Sequence, residues 1–164
     1  MPAPSLKEGD EAAVTLSIPC APEYVGTARL TILGIASRMG FTYDLIEDIR
    51  LAVGEACTNA IDRATRVRNG GPSGAAASNT PLAALPPIRI TSHIEPSKLT
   101  IEVVDQVRRA DPGDLEAPAG DIEGMNPQEL GALLMEILVD EVNIETLPEG
   151  GTRVRLVKYT TLEG

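Results

Sequence analysis

Glu55-Ala56-Cys57-Thr58-Asn59-Ala60-Ile61-Asp62-Arg63-Ala64-Thr65 is the stretch on which the reading of this chain turns. It puts a carboxylate, Glu55, and a carboxamide, Asn59, four residues apart in a strongly amphipathic segment. At about 100° per residue, Ile46, Ile49, Val53, Ala56, Cys57, Ala60 and Ala64 share one face of a helix. Asp48, Glu55, Asn59 and Asp62 share the other. Asp44 and Glu47 make a capping-box pattern at its start. Asn competes with the backbone for hydrogen bonds and is a poor helix-interior residue, so an Asn one turn beyond a Glu needs a reason. An amide oxygen beside a carboxylate suits a hard cation such as Mg²⁺, which keeps water and phosphate among its ligands. A solvated polar stripe is the plain alternative.

Outward from that helix the chain alternates legible elements with two polar tracts. Val14, Leu16 and Ile18 alternate with polar residues as a first strand. Pro22 suits the first turn of a helix that Gly40 can end, with Val25, Ala28, Ile32, Ile35, Ala36 and Met39 as its apolar stripe. Ile88, Ile90 and Ile94 begin a strand region, Pro96-Ser97 turns it, and Leu99, Ile101 and Val103 return antiparallel. Asn126-Pro127-Gln128-Glu129 reads as cap, Pro at N1 and Glu at N3, opening a helix whose buried face is expected to be Leu130, Leu133, Leu134, Ile137 and Leu138. Val142 and Ile144, then Val154, Leu156 and Tyr159, make a hairpin around Gly150-Gly151. Helices on one face of a mostly antiparallel sheet predict an α+β two-layer α/β sandwich. Residues 1–164 are expected to form one domain, with flexible loops at about 66–87 and 106–125.

Composition narrows the function classes. The 164 residues carry a formal charge of −10, which argues against direct nucleic-acid binding, because a phosphate backbone demands clustered Lys and Arg. Aromatics are 2% of the chain, so aliphatic residues must fill the core. Cys20 and Cys57 fit no metal or redox spacing, and Cys57 falls on the apolar face as a reduced, buried thiol. The sequence has no charged-then-apolar leader and no membrane-length apolar run, so a cytoplasmic protein without a membrane partner is expected.

Glu55-Ala56-Cys57-Thr58-Asn59-Ala60-Ile61 resembles the N-box of the GHKL (Bergerat-type) ATPase superfamily, in the form found in bacterial anti-sigma-factor serine/threonine kinases. The similarity continues through Glu23-Tyr24-Val25-Gly26, Arg29-Leu30-Thr31, Ala36 to Asp44, and Ile46-Glu47-Asp48. Downstream, Leu134-Met135-Glu136, Leu138 and Asp140-Glu141-Val142 resemble the segment after that family's last phosphate-binding glycine box, and Pro148-Glu149-Gly150-Gly151-Thr152 resembles its final hairpin. Residues 12 to 159 are covered, with two interruptions. The nearest type is the regulators of general-stress sigma factors.

The resemblance implies an ATP- and Mg²⁺-dependent kinase that sequesters a sigma factor and phosphorylates a serine on a STAS-type anti-anti-sigma protein, as a homodimer. It makes Glu55 the general base and Asn59 the Mg²⁺ ligand. Asp105 becomes the reader of the adenine amino group, and Gly131 and Thr152 become nucleotide contacts. Arg29 becomes a partner contact; by itself it reads as a surface charge, as Asp105 by itself reads as a turn residue. Three positions depart from the pattern: Val107 and Glu129 stand where glycines are usual, and Arg63 where His is frequent. Val107 and Glu129 keep open a second reading, an anti-sigma binding module without turnover. A third, a histidine-kinase-like domain detached from a sensor, lacks a phosphoacceptor helix. His93, the only histidine, has no assigned role.

Overall fold

The computed structural model describes residues 12–69, 81, 84–107 and 124–160. Five strands, β1 (Ala12–Ile18), β2 (Ile88–Glu95), β3 (Lys98–Asp105), β4 (Glu141–Leu147) and β5 (Gly151–Tyr159), form one sheet in the order β1-β2-β3-β5-β4. Every neighbouring pair is antiparallel. Helices α1 (Val25–Arg38), α2 (Tyr43–Arg68) and α3 (Pro127–Leu138) make the second layer. The expected α+β two-layer sandwich is what the chain adopts. Most of the 66–87 and 106–125 tracts lies outside the described residues.

Strand periodicity decides which side of the sheet meets the helices. Ile88 and Ile90 on β2, Leu99, Ile101 and Val103 on β3, and Val154 and Leu156 on β5 are buried in one apolar cluster with Ile32, Ile49, Val53 and Ala60 of the helices. Phe41, the single phenylalanine, joins it. The opposite positions carry charge, and one ladder crosses four strands. His93 Nε2 lies 3.8 Å from Glu102, Glu102 lies 3.7 Å from Arg153 Nε, and Arg153 Nη1 reaches Glu145 at 2.7 Å. His93 therefore has a carboxylate neighbour across the β2–β3 register, which the sequence did not reveal. On an open sheet face such pairs contribute only tenths of a kcal/mol each, about 0.2–1.

Two helix boundaries differ from the sequence reading. The cap of α2 is Thr42, whose hydroxyl accepts the Leu45 N–H; Asp44 lies inside the first turn, where its charge suits the helix dipole. Pro22 starts a 3-10 turn, Pro22–Tyr24, that leads into α1. The Asn126 capping box is formed in full: Asn126 Oδ1 accepts the Glu129 N–H at 2.9 Å, and Glu129 Oε2 accepts the Asn126 N–H at 3.1 Å.

The buried face of α3 is also rotated from expectation. Leu133, Leu134 and Leu138 are half-buried, and Leu138 packs against the core as expected, but Leu130 is 40% and Ile137 71% exposed, whereas Gly131 and Met135 are buried. The reason is Gly131. Its missing side chain lets the α3 backbone close on α2, and Met135, four residues further along the helix, then points inward.

Both cysteines are free and buried. Burial pushes the Cys57 thiol up from 9.0 to about 12, against a smaller opposing effect of the Arg29 charge. Burial and the Asp105 carboxylate raise Cys20, with Arg63 acting in the other direction. A thiol whose folded value lies above its unfolded one stabilises the fold fully below pH 9 and loses that contribution as pH climbs toward 12. Native protein at pH 8 should therefore show no fast reaction with Ellman's reagent, and urea-unfolded protein should release both thiols. A rapidly titrating thiol in the native state would contradict this burial.

Candidate functional site

Helix α2 sits between α1 and α3 and contributes to both the core and the site. Asp62 is exposed and Glu55 half-buried, but Asn59 is only 6% exposed. The polar stripe is therefore not simply solvated. Part of it is roofed by α3 at Gly131, where a Cβ would stand 2.8 Å from Asn59 Nδ2, 3.0 Å from Glu55 Oε2 and 3.2 Å from Asn59 Oδ1. Any larger residue at 131 would displace one of these groups, because real Cβ atoms essentially never come within 3.0 Å of a neighbour. Glu55, Asn59 and Gly131 are thus brought together, although Gly131 is far from the other two in sequence.

About two turns beyond Glu55 on α2, ~12 Å at 1.5 Å per residue, Arg63 reaches the sheet. Its Nη2 donates to Asp105 Oδ2 at 2.9 Å, with side-chain exposures of 8% and 2%. Asp105 Oδ1 accepts the Val107 N–H at 3.3 Å. Asp105 is no turn residue in water. It is a buried carboxylate at the end of β3, held between a guanidinium and a backbone amide. Sequence reasoning gave Arg63 no account; that it follows Asn59 by four residues on the same helical face is the signal that could have linked it to the site.

Thr152 faces Asp105 in the β3–β5 register and is fully buried. The close approach depends on Gly151, whose φ of +152° and lack of a Cβ let β5 begin against the Asp105 carbonyl oxygen. Asp105, Thr152 and Arg63 therefore form one end of the site, and Glu55, Asn59 and Gly131 the other.

Arg29 lies apart from both clusters. It is half-buried in the seam between α1 and α2, with its guanidinium filling the space that a side chain at Gly54 would take. Its Nε has no hydrogen-bond partner among the described residues. It is therefore not the free surface arm that a lone helical Arg suggests. Its charge is lodged beside the residue that precedes Glu55.

The oxygens of Asn59 and Glu55 are hard donors of the kind Mg²⁺ takes, and the gap at Gly131 is a cradle that a Cβ would fill. Among the described residues no group of three or more His, Cys, Asp or Glu could cage a metal. An ion here would draw most of its shell from phosphate and water, as Mg²⁺ commonly does. The start of α3 offers less to a phosphate than its dipole promises. Pro127 has no N–H, and the Glu129 N–H is already taken by the Asn126 cap.

The family model of the histidine kinase-like ATPase domain matches residues 18–158. The serine-protein kinase RsbW of Bacillus velezensis is 35% identical over 153 residues, covering 89% of this chain and 84% of that protein. The RsbW of Bacillus subtilis is 33% identical with the same coverage, and that of Listeria innocua 34% over 89% of this chain and 86% of its own. A crystal structure of RsbU and RsbW domains from Mycobacterium tuberculosis superposes with a TM-score of 0.58 at 16% identity, over 90% of this chain and 32% of that one, a likeness of fold. A family match over residues 18–158 and relatives at 33–35% identity over 89% of the chain show that it belongs to the histidine kinase-like ATPase family, in its branch of RsbW-type serine-protein kinases.

Proposed function

We propose that this protein is an anti-sigma factor with serine kinase activity, a single-domain homodimer of the cytoplasm. In this reading it sequesters a sigma factor and uses Mg-ATP to phosphorylate a serine on a STAS-type anti-anti-sigma protein. The observation that carries the proposal is the seating of Gly131 on Glu55 and Asn59 together, which joins a candidate base, a candidate metal ligand and the start of α3 in one place. The names of the RsbW relatives support serine as the acceptor.

The roles follow from the chemistry of each group. Asn59 would hold Mg²⁺ through its amide oxygen, and bound Mg²⁺ neutralises charge on the phosphates. Asp105 and Thr152 would take the base. Glu55, at the phosphate end, would accept the proton of the serine hydroxyl as its oxygen attacks the γ-phosphorus. The bond from that phosphorus to the β–γ bridging oxygen breaks and ADP leaves. In such transfers positioning and charge neutralisation supply most of the acceleration, and a general base contributes about 10²–10⁴-fold.

Asn59→Ala should therefore weaken Mg-ATP binding by about tenfold or more, ~1.4 kcal/mol. Glu55→Gln should bind Mg-ATP like the wild type and lose about 10²-fold or more in transfer to the antagonist. Calorimetric titration with and without Mg²⁺, beside a single-turnover phosphorylation assay, separates the two. Indistinguishable defects would refute the division of roles, and wild-type behaviour in both variants would return the stripe to a structural role.

Arg29 is proposed as a partner contact whose guanidinium is held in place by the bare Cα of Gly54. Arg29→Glu should abolish sigma-factor or antagonist binding in pull-down while ATP affinity stays within about twofold. Gly54→Ala keeps the charge but pushes it out of its seat. It should weaken partner binding less than the charge reversal, even though Ala is worth about 1 kcal/mol more than Gly in a helix interior. Normal association by both variants would move the partner surface elsewhere.

The capping box places the Glu129 carboxylate at the mouth of α3. A second reading, a binding module without turnover, rests on that charge and on Val107, which stands where a glycine is usual. Like charges about 4 Å apart repel by ~1 kcal/mol in water and by more where water is excluded. Glu129→Gly should tighten Mg-ATP binding and lower the melting temperature by a few degrees, as ~1 kcal/mol of capping is lost. Unchanged or weaker binding would remove the repulsion argument and favour the kinase.

A further inference from the structure

The Arg63–Asp105 pair sits at the end of the site opposite Glu55 and Asn59, and it is nearly as dry as the core. Arg63 is 7% and Asp105 1% exposed. One N–H of Arg63 is used on Asp105, while its Nε is buried and has no hydrogen-bond partner among the described residues. Such a donor is costly to leave unmatched, so a ligand atom that accepts a hydrogen bond there is favoured. Asp105 in turn keeps acceptor capacity. Each carboxylate oxygen has two lone pairs, and Arg63 and Val107 take one apiece.

An isolated carboxylate is acceptor-only. At a base-reading position it takes the 6-amino group of adenine and repels the 6-oxo group of guanine or hypoxanthine. A guanidinium beside it changes that selection, because the pair offers both signs at neighbouring points. Adenine presents a donor at its 6-amino group and an acceptor at N1. A 6-oxopurine presents an acceptor at O6 and a donor at N1–H. Either edge can be met by one carboxylate and one guanidinium, and specificity is the difference between the two fits.

Building on the nucleotide-site reading above, we propose that Arg63 determines base specificity: with Asp105 it forms a two-signed purine reader, so that the site takes GTP as well as ATP. Without Arg63, Asp105 would select the 6-amino purine alone. The pair also ties α2 to β3, a purely structural role that the experiment must separate from base reading.

The test is calorimetric titration of the full chain with ATP and with GTP, each with Mg²⁺, for the wild type, Arg63→His and Arg63→Gln, alongside thermal melts. In the wild type the two dissociation constants should lie within about tenfold, instead of the 10⁴–10⁵ by which a site with a mismatched buried polar group rejects the wrong ligand. In the variants the ratio should swing toward ATP by a further tenfold or more. A merely structural pair would lower the melting temperature and leave the ratio unchanged. The wild-type comparison needs no variant to fold. ATP binding with GTP excluded at hundredfold excess overturns the base-reader proposal and leaves the nucleotide site standing. Binding of neither overturns both.

Discussion

One helix has to do two incompatible things, and the rest of the molecule is arranged around that. Helix α2 packs its small apolar residues, Ala52, Ala56, Ala60 and Ala64, at zero exposure against its neighbours, while a stripe running into that face carries Glu55, Asn59 and Arg63. Small side chains on the inner face bring the neighbouring elements close. The polar face is then partly roofed, so its groups must find partners or be available to a ligand. Arg63 finds Asp105, and Asn59 lies under Gly131.

Glycines mark the places where backbones approach the functional side chains. Gly131 admits Asn59 and Glu55, Gly151 admits the Asp105 carbonyl, and Gly54 admits the Arg29 guanidinium. In each case the close neighbour is a polar group rather than a core methyl. Reading these glycines as loose or flexible points would miss their function, which is to make room. The α3 capping box adds a counter-constraint. It satisfies the helix start with the cap's own atoms, and so uses a donor that an anion could otherwise have taken.

The ion pair between Arg63 and Asp105 fastens the helical layer to the sheet. A buried pair adds little net stability over an apolar pair of the same shape, but losing one partner typically costs about 3–5 kcal/mol. Its value lies in geometry: it fixes the carboxylate at the end of β3 and sets it beside Thr152 across the register. Cys20 feels the same pair electrostatically, which places the segment after β1 near this end of the site as well.

The sequence by itself determined the element order, the strand alternation, the amphipathic α2 and the Asn126–Glu129 capping box, because each depends on residues a few positions apart whose periodicity or hydrogen bonding is local. It also singled out Glu55 and Asn59, since an Asn in a helix interior contradicts local propensity. Tertiary structure alone decided the rotation of α3, which leaves Ile137 exposed and buries Met135, because that depends on what Gly131 meets on another helix. It alone paired Arg63 with Asp105 and His93 with Glu102, and lodged Arg29 against Gly54. Those contacts join residues far apart in the chain, and the charge of a residue carries no information about which distant partner the fold will bring to it.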